Sequence, residues 1–317
     1  MYKKIFIIVF VILVLVLLYN FRGTLEPYLT KIKNQAATFF AMGISVDDLV
    51  RKYVGVGGDE QKIKILLVAG HEPNYGGAEY NGLRERDLNL LISEKIKDIL
   101  SRNKKFEVVV TRDAGGWNPE LEKYVKENKT SIMSWVAGLK KQMSKLVSTK
   151  RLTKVSAKMG HAVAAPNTTA FLYGINKWGN ENKVDIAIHL HFNDNPKYKG
   201  QPNYEGFSIY VPESQYSNAT SSKVLALDLK NELTKIQKIS TMEEESTGVI
   251  EDQELIALGR YNSADALSVL IEYAYIYENF MQNARLRNSY IDNAAIFTAQ
   301  AVNKFFESRL DGYRRDY

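Results

Sequence analysis

Four short motifs in this 317-residue sequence place histidines and carboxylates where they could act together. In chain order they are Gly70-His71, Glu85-Arg86-Asp87-Leu88-Asn89-Leu90, Asp185-Ile186-Ala187-Ile188-His189-Leu190-His191-Phe192-Asn193 and Val269-Leu270-Ile271-Glu272. Two histidines and one carboxylate form a common zinc site with open positions for water and substrate. Such an ion lowers the pKa of its water to about 7 and polarises a carbonyl group, and a second, unligated carboxylate can transfer the proton. Together the motifs predict metal-assisted hydrolysis of an amide.

Each motif alone also has a purely structural interpretation. A lone histidine is more often structural than a metal ligand, and Glu85 could be a favourable charge at a helix N-terminus. Glu272 could be an ordinary residue at a strand end. His189 and His191 lie two positions apart on a predicted strand and therefore point to the same face. Chemistry alone allows either histidine, or both, to bind the metal.

The elements that must position these residues alternate between strands and helices. A buried strand over 63–68 runs into Gly70-His71, and a helix with apolar residues at three- and four-residue spacing follows over 88–100. Further strand candidates cover 106–111, 184–191, 207–211 and 269–273. This alternation predicts an α/β fold in three layers, α/β/α, with a mostly parallel mixed sheet. Because ligands bind beyond the carboxyl ends of such strands, we expect the zinc site there.

In this order, the motifs resemble those of the zinc-dependent N-acetylmuramoyl-L-alanine amidases. That family shows a strand ending in Gly-His, a helix beginning Glu-Lys-Asp-Leu-Asn-Leu, and strands ending in Thr-Arg, Ser-Ile-His-x-Asn and Val-Leu-Val-Glu. The counterparts here, within a resemblance over roughly residues 62–308, are Gly70-His71, Glu85 to Leu90, Thr111-Arg112-Asp113, His189 to Asn193 and Val269 to Glu272. The resemblance implies that His71, Glu85 and His191 hold Zn²⁺, that Glu272 is the catalytic carboxylate, and that peptidoglycan is cleaved between N-acetylmuramic acid and L-alanine.

The sequence departs from the family pattern in three places. Glu72 and Pro73 replace the glycines that usually follow the first histidine, and His189 stands where the family usually has serine. The motif favours His191 over His189 as the ligand. The third departure is an insertion at about 114–182, much longer than the family's usual link between these two strands.

The insertion itself predicts a long helix. Asn118-Pro119-Glu120 is typical of a helix start, and an apolar stripe follows at Leu121, Val125, Ile132, Val136, Leu139 and Met143. Seven basic residues and no acidic ones occur between positions 140 and 158. One interpretation is a lid over the zinc cleft, moved by a protein regulator, or a basic surface for anionic wall polymers or lipid. The other is a packed helix with a solvated charged face.

Composition narrows the class of protein. The absence of cysteine excludes thiol catalysis and cysteine-ligated metals. The net charge of +6 suits an anionic wall or membrane surface, and the sequence has no recognisable nucleic-acid-binding module, so we expect no nucleic-acid partner. Lys3 and Lys4 precede an apolar run over 5–19, which has no small residues at its end to suit cleavage. This pattern favours an uncleaved signal anchor over a cleaved signal peptide.

The predicted organisation is therefore an anchor over 1–22, a stalk or linker over 23–60, and a catalytic domain over 61–310 that contains the insertion. We expect a single-pass membrane protein whose catalytic domain faces the cell wall or periplasm. Two other functions fit the same residues. One is a zinc peptidase or deacylase acting on another amide, and the other is a catalytically silent wall-binding scaffold with the same fold.

Overall fold

The computed structural model describes residues 43–56, 61–74, 76–157, 164–194 and 204–310. The predicted anchor over 1–22 and the predicted linker up to residue 42 lie outside the described residues. No helix in the described part of the chain combines the length and the apolar character that a membrane crossing requires.

In the described part of the chain, ten strands form one large sheet and two small hairpins. They are β1 (Ile63–Ala69), β2 (Glu79–Tyr80), β3 (Leu83–Arg84), β4 (Phe106–Val110), β5 (Arg112–Asp113), β6 (Gly116–Trp117), β7 (Ile186–Asn193), β8 (Ser208–Pro212), β9 (Val249–Asp252) and β10 (Leu267–Tyr275). The large sheet has the order β4-β1-β7-β10-β8-β9. Strands β4, β1, β7 and β10 are parallel, whereas β8 is antiparallel to β10 and parallel to β9. The prediction of a mostly parallel mixed sheet is confirmed.

Helices cover both faces of the large sheet. They are α1 (Val46–Val54), α2 (Glu85–Leu100), α3 (Pro119–Ser148), α4 (Pro166–Glu181), α5 (Ala219–Leu233), α6 (Asn279–Gln282) and α7 (Ala284–Glu307). One apolar core joins the sheet to α1, α2, α5 and α7, and a second joins the opposite face to α3 and α4. Strand β7 shows how the two cores separate: Ile186 and Ile188 enter the first core, and Ala187 enters the second. Successive side chains of β7 thus alternate between the two cores, as expected for a strand that is buried on both faces.

The compact unit begins at Gly43, earlier than the predicted boundary at residue 61. Helix α1 is capped by Ser45 and buries Leu49 completely in the first core. Tyr53 stacks on Phe306 with ring centroids 4.5 Å apart. Lys52 forms an ion pair with buried Asp185 at 2.6 Å. The last part of the predicted linker is therefore packed into the folded domain.

The insertion supplies the second helical layer. Helix α3 begins where predicted, with Asn118 accepting hydrogen bonds from the first-turn amides and proline at the first helical position. Leu121 and Val125 of α3 join α4 over Leu66 and Val68 of β1. The insertion thus builds part of the core rather than lying over a finished domain.

Candidate active site

The structure brings His71, Glu85 and His191 together at the carboxyl ends of β1 and β7. Nε2 of His71 lies 2.8 Å from Oε2 of Glu85, and Nδ1 of His191 lies 2.9 Å from Oε1 of the same carboxylate. The two imidazole rings are 5.0 Å apart between centroids and stand at 77° to each other. One donor atom from each of the three residues falls within 4.8 Å of the others. The three residues predicted as ligands form one cluster, although 106 positions separate Glu85 from His191.

The glycine before His71 is required by the closeness of β7. The amide of Gly70 donates to the carbonyl of Leu190 at 3.0 Å, which brings the end of β1 directly alongside His191. A Cβ atom at position 70 would lie 2.3 Å from the His191 ring. The backbone then turns at His71 with a φ of +66°, a left-handed conformation that is uncommon for a residue other than glycine. This turn directs the imidazole towards the cluster instead of continuing the strand.

Glu85 is held at the first position of α2 by backbone groups from two other segments. Its amide donates to the carbonyl of Ala78, and the amide of Ala78 donates back to Oε2 at 2.8 Å. The amide of Phe192 and the side chain of Asn89 donate to Oε1, each at 3.3 Å. The helix N-terminus also favours a negative charge at this position. The carboxylate is therefore fixed before any ligand binds.

The electrostatic environment keeps Glu85 charged and His191 neutral. Burial opposes ionisation of Glu85, but the imidazole nitrogens of His191 and His71 beside its oxygens outweigh that effect, so the pKa of Glu85 is well below its usual range. Burial lowers the pKa of His191, and Glu85 only partly opposes that effect. An ionised carboxylate beside a neutral imidazole is the protonation state that metal binding needs, because the lone pairs must be free.

The donor set fits a zinc ion. Two imidazole nitrogens and a carboxylate oxygen are the usual ligands of open catalytic zinc sites. Nε2 of His71 is buried and has no well-directed hydrogen-bond partner among the described residues, despite its closeness to Glu85. Glycine also leaves room beside the cluster, since a Cβ at position 77 would lie 2.7 Å from the His71 ring. His71, Glu85 and His191 are thus the residues that would hold the ion.

Glu272 stands beside the cluster on the neighbouring strand. In the parallel pairing of β7 and β10 it is in register with His191, so both side chains project from the same face of the sheet. Its Oε2 is buried and has no hydrogen-bond partner among the described residues. Burial raises the pKa of Glu272 well above its usual range, and the charges of Glu85 and Glu245 raise it further. Glu272 is therefore suited to hold and transfer a proton near the cluster.

Glu245 also belongs to the surroundings of Glu272, although no sequence motif predicted it. Its buried carboxylate accepts hydrogen bonds from the hydroxyls of Tyr210 and Tyr275, at 2.5 and 2.9 Å, and from the side chain of Asn193 at 3.1 Å. Glu245 sits in a short 3-10 turn outside every quoted motif. Within a run of three glutamates, no local pattern distinguishes the one that tertiary packing buries.

His189 does not take part in the cluster. It lies one residue pair earlier on β7, opposite Val68, and its side chain is 2% exposed. Burial lowers its pKa to about 3, and the nearby imidazole of His191 contributes a smaller lowering. The two histidines share a face, as predicted, but His189 lies under the insertion layer whereas His191 reaches the open end of the sheet. His189 is a buried neutral imidazole within the second core.

Comparisons with known proteins agree with this architecture. The family model described as N-acetylmuramoyl-L-alanine amidase matches residues 65–304. The CwlD amidase from Clostridioides difficile, solved in complex with the GerS lipoprotein, is 16% identical with a TM-score of 0.50, over 78% of this chain and 100% of that one. The N-acetylmuramyl-L-alanine amidase of Mycobacterium smegmatis is 11% identical with a TM-score of 0.50, over 79% and 100% of the two chains. No match was found among curated proteins.

The fold and the site define the class of this protein as a hydrolase that acts on amide bonds. The family match spans most of the chain and contains all four of His71, Glu85, His191 and Glu272. The chain belongs to the N-acetylmuramoyl-L-alanine amidase family.

Replacing His71, Glu85 or His191 with alanine should abolish or greatly weaken zinc binding, because each removes one of three protein ligands. We expect one zinc ion per wild-type chain by metal analysis after dialysis. His189→Gln is the matched control, since it changes a histidine on the same face of the same strand but outside the cluster, and it should retain zinc. Loss of zinc in His189→Gln but not in His191→Ala would show that the ligand assignment is wrong.

Proposed function

We propose that this protein is a zinc-dependent amidase that hydrolyses the bond between N-acetylmuramic acid and L-alanine in peptidoglycan. The observation that carries the proposal is the convergence of His71, Glu85 and His191 beside Glu272 in a chain of this family. The zinc peptidase or deacylase alternative uses the same ligands, and the family match favours the muramoyl substrate over it. The silent scaffold is disfavoured because all four chemical groups are present and face the same end of the sheet.

The roles of the residues follow from their environments. A zinc ion held by the cluster would polarise the scissile carbonyl and lower the pKa of water to about 7. Glu272 accepts the proton from the attacking water and later donates it to the leaving amine. Its raised pKa suits both steps, because a carboxylate with a higher pKa is a stronger base towards water, and proton transfer is most efficient when the pKa lies near the operating pH. Glu85, with its lowered pKa, stays ionised and serves as a ligand throughout.

Digestion of purified peptidoglycan by the wild-type protein should release intact stem peptides and leave free muramoyl ends, as measured by mass spectrometry. Glu272→Gln should keep the fold and the zinc content but lose activity by about two to four orders of magnitude, because glutamine keeps the shape without the transferable proton. Cleavage within the stem peptide would favour the peptidase alternative. Near-normal turnover by Glu272→Gln would remove this residue from the mechanism.

We further propose that the protein is anchored in the membrane with its catalytic domain facing the wall or periplasm. The support is the apolar run over 5–19 and its flanking Lys3 and Lys4. The mature protein should sediment with membranes and resist extraction by high salt, which can be followed by immunoblotting. N-terminal sequencing that finds a soluble mature form beginning after the apolar run would show a cleaved signal peptide instead.

We also propose that the insertion restrains access to the site until a protein partner moves it. The hydroxyl of Thr168, in the first turn of α4, donates to Oε1 of Glu72 at 2.6 Å. Glu72 directly follows His71, so this bond joins the insertion to the loop that carries a proposed zinc ligand. One turn later, Phe171 stacks on Trp117 at 4.0 Å between ring centroids. Both contacts lie where the chain leaves the carboxyl ends of the strands, the end at which substrate enters.

Thr168→Val should raise the rate of peptidoglycan hydrolysis without changing zinc content, because it removes the hydrogen bond to Glu72 and keeps the side-chain shape. Thr169→Val is the control, since the Thr169 hydroxyl donates to the carbonyl of Ala164, just before the same helix, and not to the loop that carries His71. An equal rate in wild type and Thr168→Val, or an equal increase in both variants, would contradict the restraint. Deleting the whole insertion is a poorer test, because α3 and α4 contribute to the second core.

A further inference from the structure

Arg112 is a buried cation whose hydrogen bonds to the described residues go to backbone carbonyls. It lies just beyond β4 and is 2% exposed. Its Nε donates to the carbonyl of Ala69 at 3.1 Å, and its Nη2 donates to the carbonyls of Gly70 at 2.8 Å and Arg86 at 2.6 Å. Burying a guanidinium is costly unless its donors are satisfied, so a residue kept in this position needs several fixed acceptors.

The acceptors belong to the two segments that carry zinc-ligand candidates. The carbonyl of Gly70 is part of the peptide group that leads into His71, and the carbonyl of Arg86 lies one residue beyond Glu85. Nη2 of Arg112 contacts both, so a single nitrogen joins the end of β1 to the first turn of α2. The Gly70 carbonyl also accepts from Asn89, whose amide group contacts Glu85 as well. The orientation of that peptide is therefore set from two sides.

We propose that Arg112 is a positioning residue for the metal site, because its guanidinium bridges the backbone of the His71 and Glu85 segments and fixes the separation of these two ligands. The inference rests on the proposed zinc site. Arg112 would act through the backbone, since it is not one of the three proposed ligands. His71 has a left-handed backbone conformation, so the peptide before it needs an external restraint to stay in one orientation.

The planar fork of arginine explains why the bridge needs this side chain. Arginine presents five donors in a rigid arrangement, whereas lysine has one compact ammonium on a flexible stem. Lysine at position 112 would keep the positive charge and could reach one carbonyl. It would not hold Ala69, Gly70 and Arg86 together. The Arg112→Lys variant therefore separates the geometric contribution from the contribution of charge.

The test compares full-length wild type, Arg112→Lys and Arg112→Met, purified in detergent. Zinc affinity is measured by competition with a chromogenic chelator, and the stability of the zinc-free forms by thermal denaturation. Arg309→Met is the matched control, because Arg309 also donates to a backbone carbonyl, that of Phe305, and to Asp228, on the α5 and α7 side of the sheet. The visible absorption of the Co²⁺-substituted forms reports ligand geometry independently of activity.

We expect zinc affinity about 10–100-fold weaker in Arg112→Met, the usual range for groups that orient metal ligands. The zinc affinity of Arg112→Lys should lie between those of Arg112→Met and wild type, and its Co²⁺ spectrum should differ from that of wild type. Arg309→Met should leave the zinc affinity and the Co²⁺ spectrum unchanged. Wild-type affinity and spectrum in Arg112→Lys would overturn the bridge, even if Arg112→Met fails to fold. An equal loss of zinc affinity in Arg112→Lys and Arg309→Met would also overturn the bridge. A wild-type protein that binds no zinc would overturn the proposed metal site itself. Tight zinc binding by both wild type and Arg112→Lys would leave the metal site standing and overturn only the role of Arg112.

Discussion

The site depends on one buried carboxylate. Glu85 is 4% exposed, and an ionised group at that depth is stable only when its oxygens are fully engaged. Two backbone amides, one side-chain amide and two imidazoles meet that requirement, and they come from four segments of the chain. Any change that misplaces one of these segments leaves the charge uncompensated. The ends of β1 and β7 and the start of α2 are therefore constrained together.

The parallel sheet places the segments around Glu85 at one edge of the domain. Strands β1, β7 and β10 run in the same direction, so their carboxyl ends lie at one edge and their registers place Gly70, His191 and Glu272 side by side. The two carboxylates of the site, Glu85 and Glu272, acquire opposite character from their immediate surroundings. Glu85 is surrounded by donors and stays ionised, whereas burial and two nearby negative charges raise the pKa of Glu272 well above its usual range. Separated pKa values of this kind allow one carboxylate to bind metal while the other transfers protons.

The insertion connects the core to the mouth of the site. Helices α3 and α4 cover one face of the sheet and are needed for its burial, yet the first turn of α4 contacts the residue after His71. A change in how α4 packs would therefore be felt at the end of β1. This arrangement differs from a mobile flap on a complete domain. The proposed control of access and the stability of the second core would therefore depend on the same helices.

The sequence by itself determined the local features: the strand ends, the helix start at Asn118, and which histidines and carboxylates stand at those strand and helix ends. These were predictable because they depend on neighbours within a few positions, such as a glycine before a histidine or a carboxylate at a helix start. Only the tertiary structure showed that His189 is buried away from the cluster that contains His191. It also decided that Glu245 is buried, that Arg112 contacts three carbonyls and that α1 packs into the core. Each of these depends on atoms far away in sequence, and burial of a charged or aromatic side chain is decided by what packs over it. A pattern along the chain cannot specify which distant segment that will be.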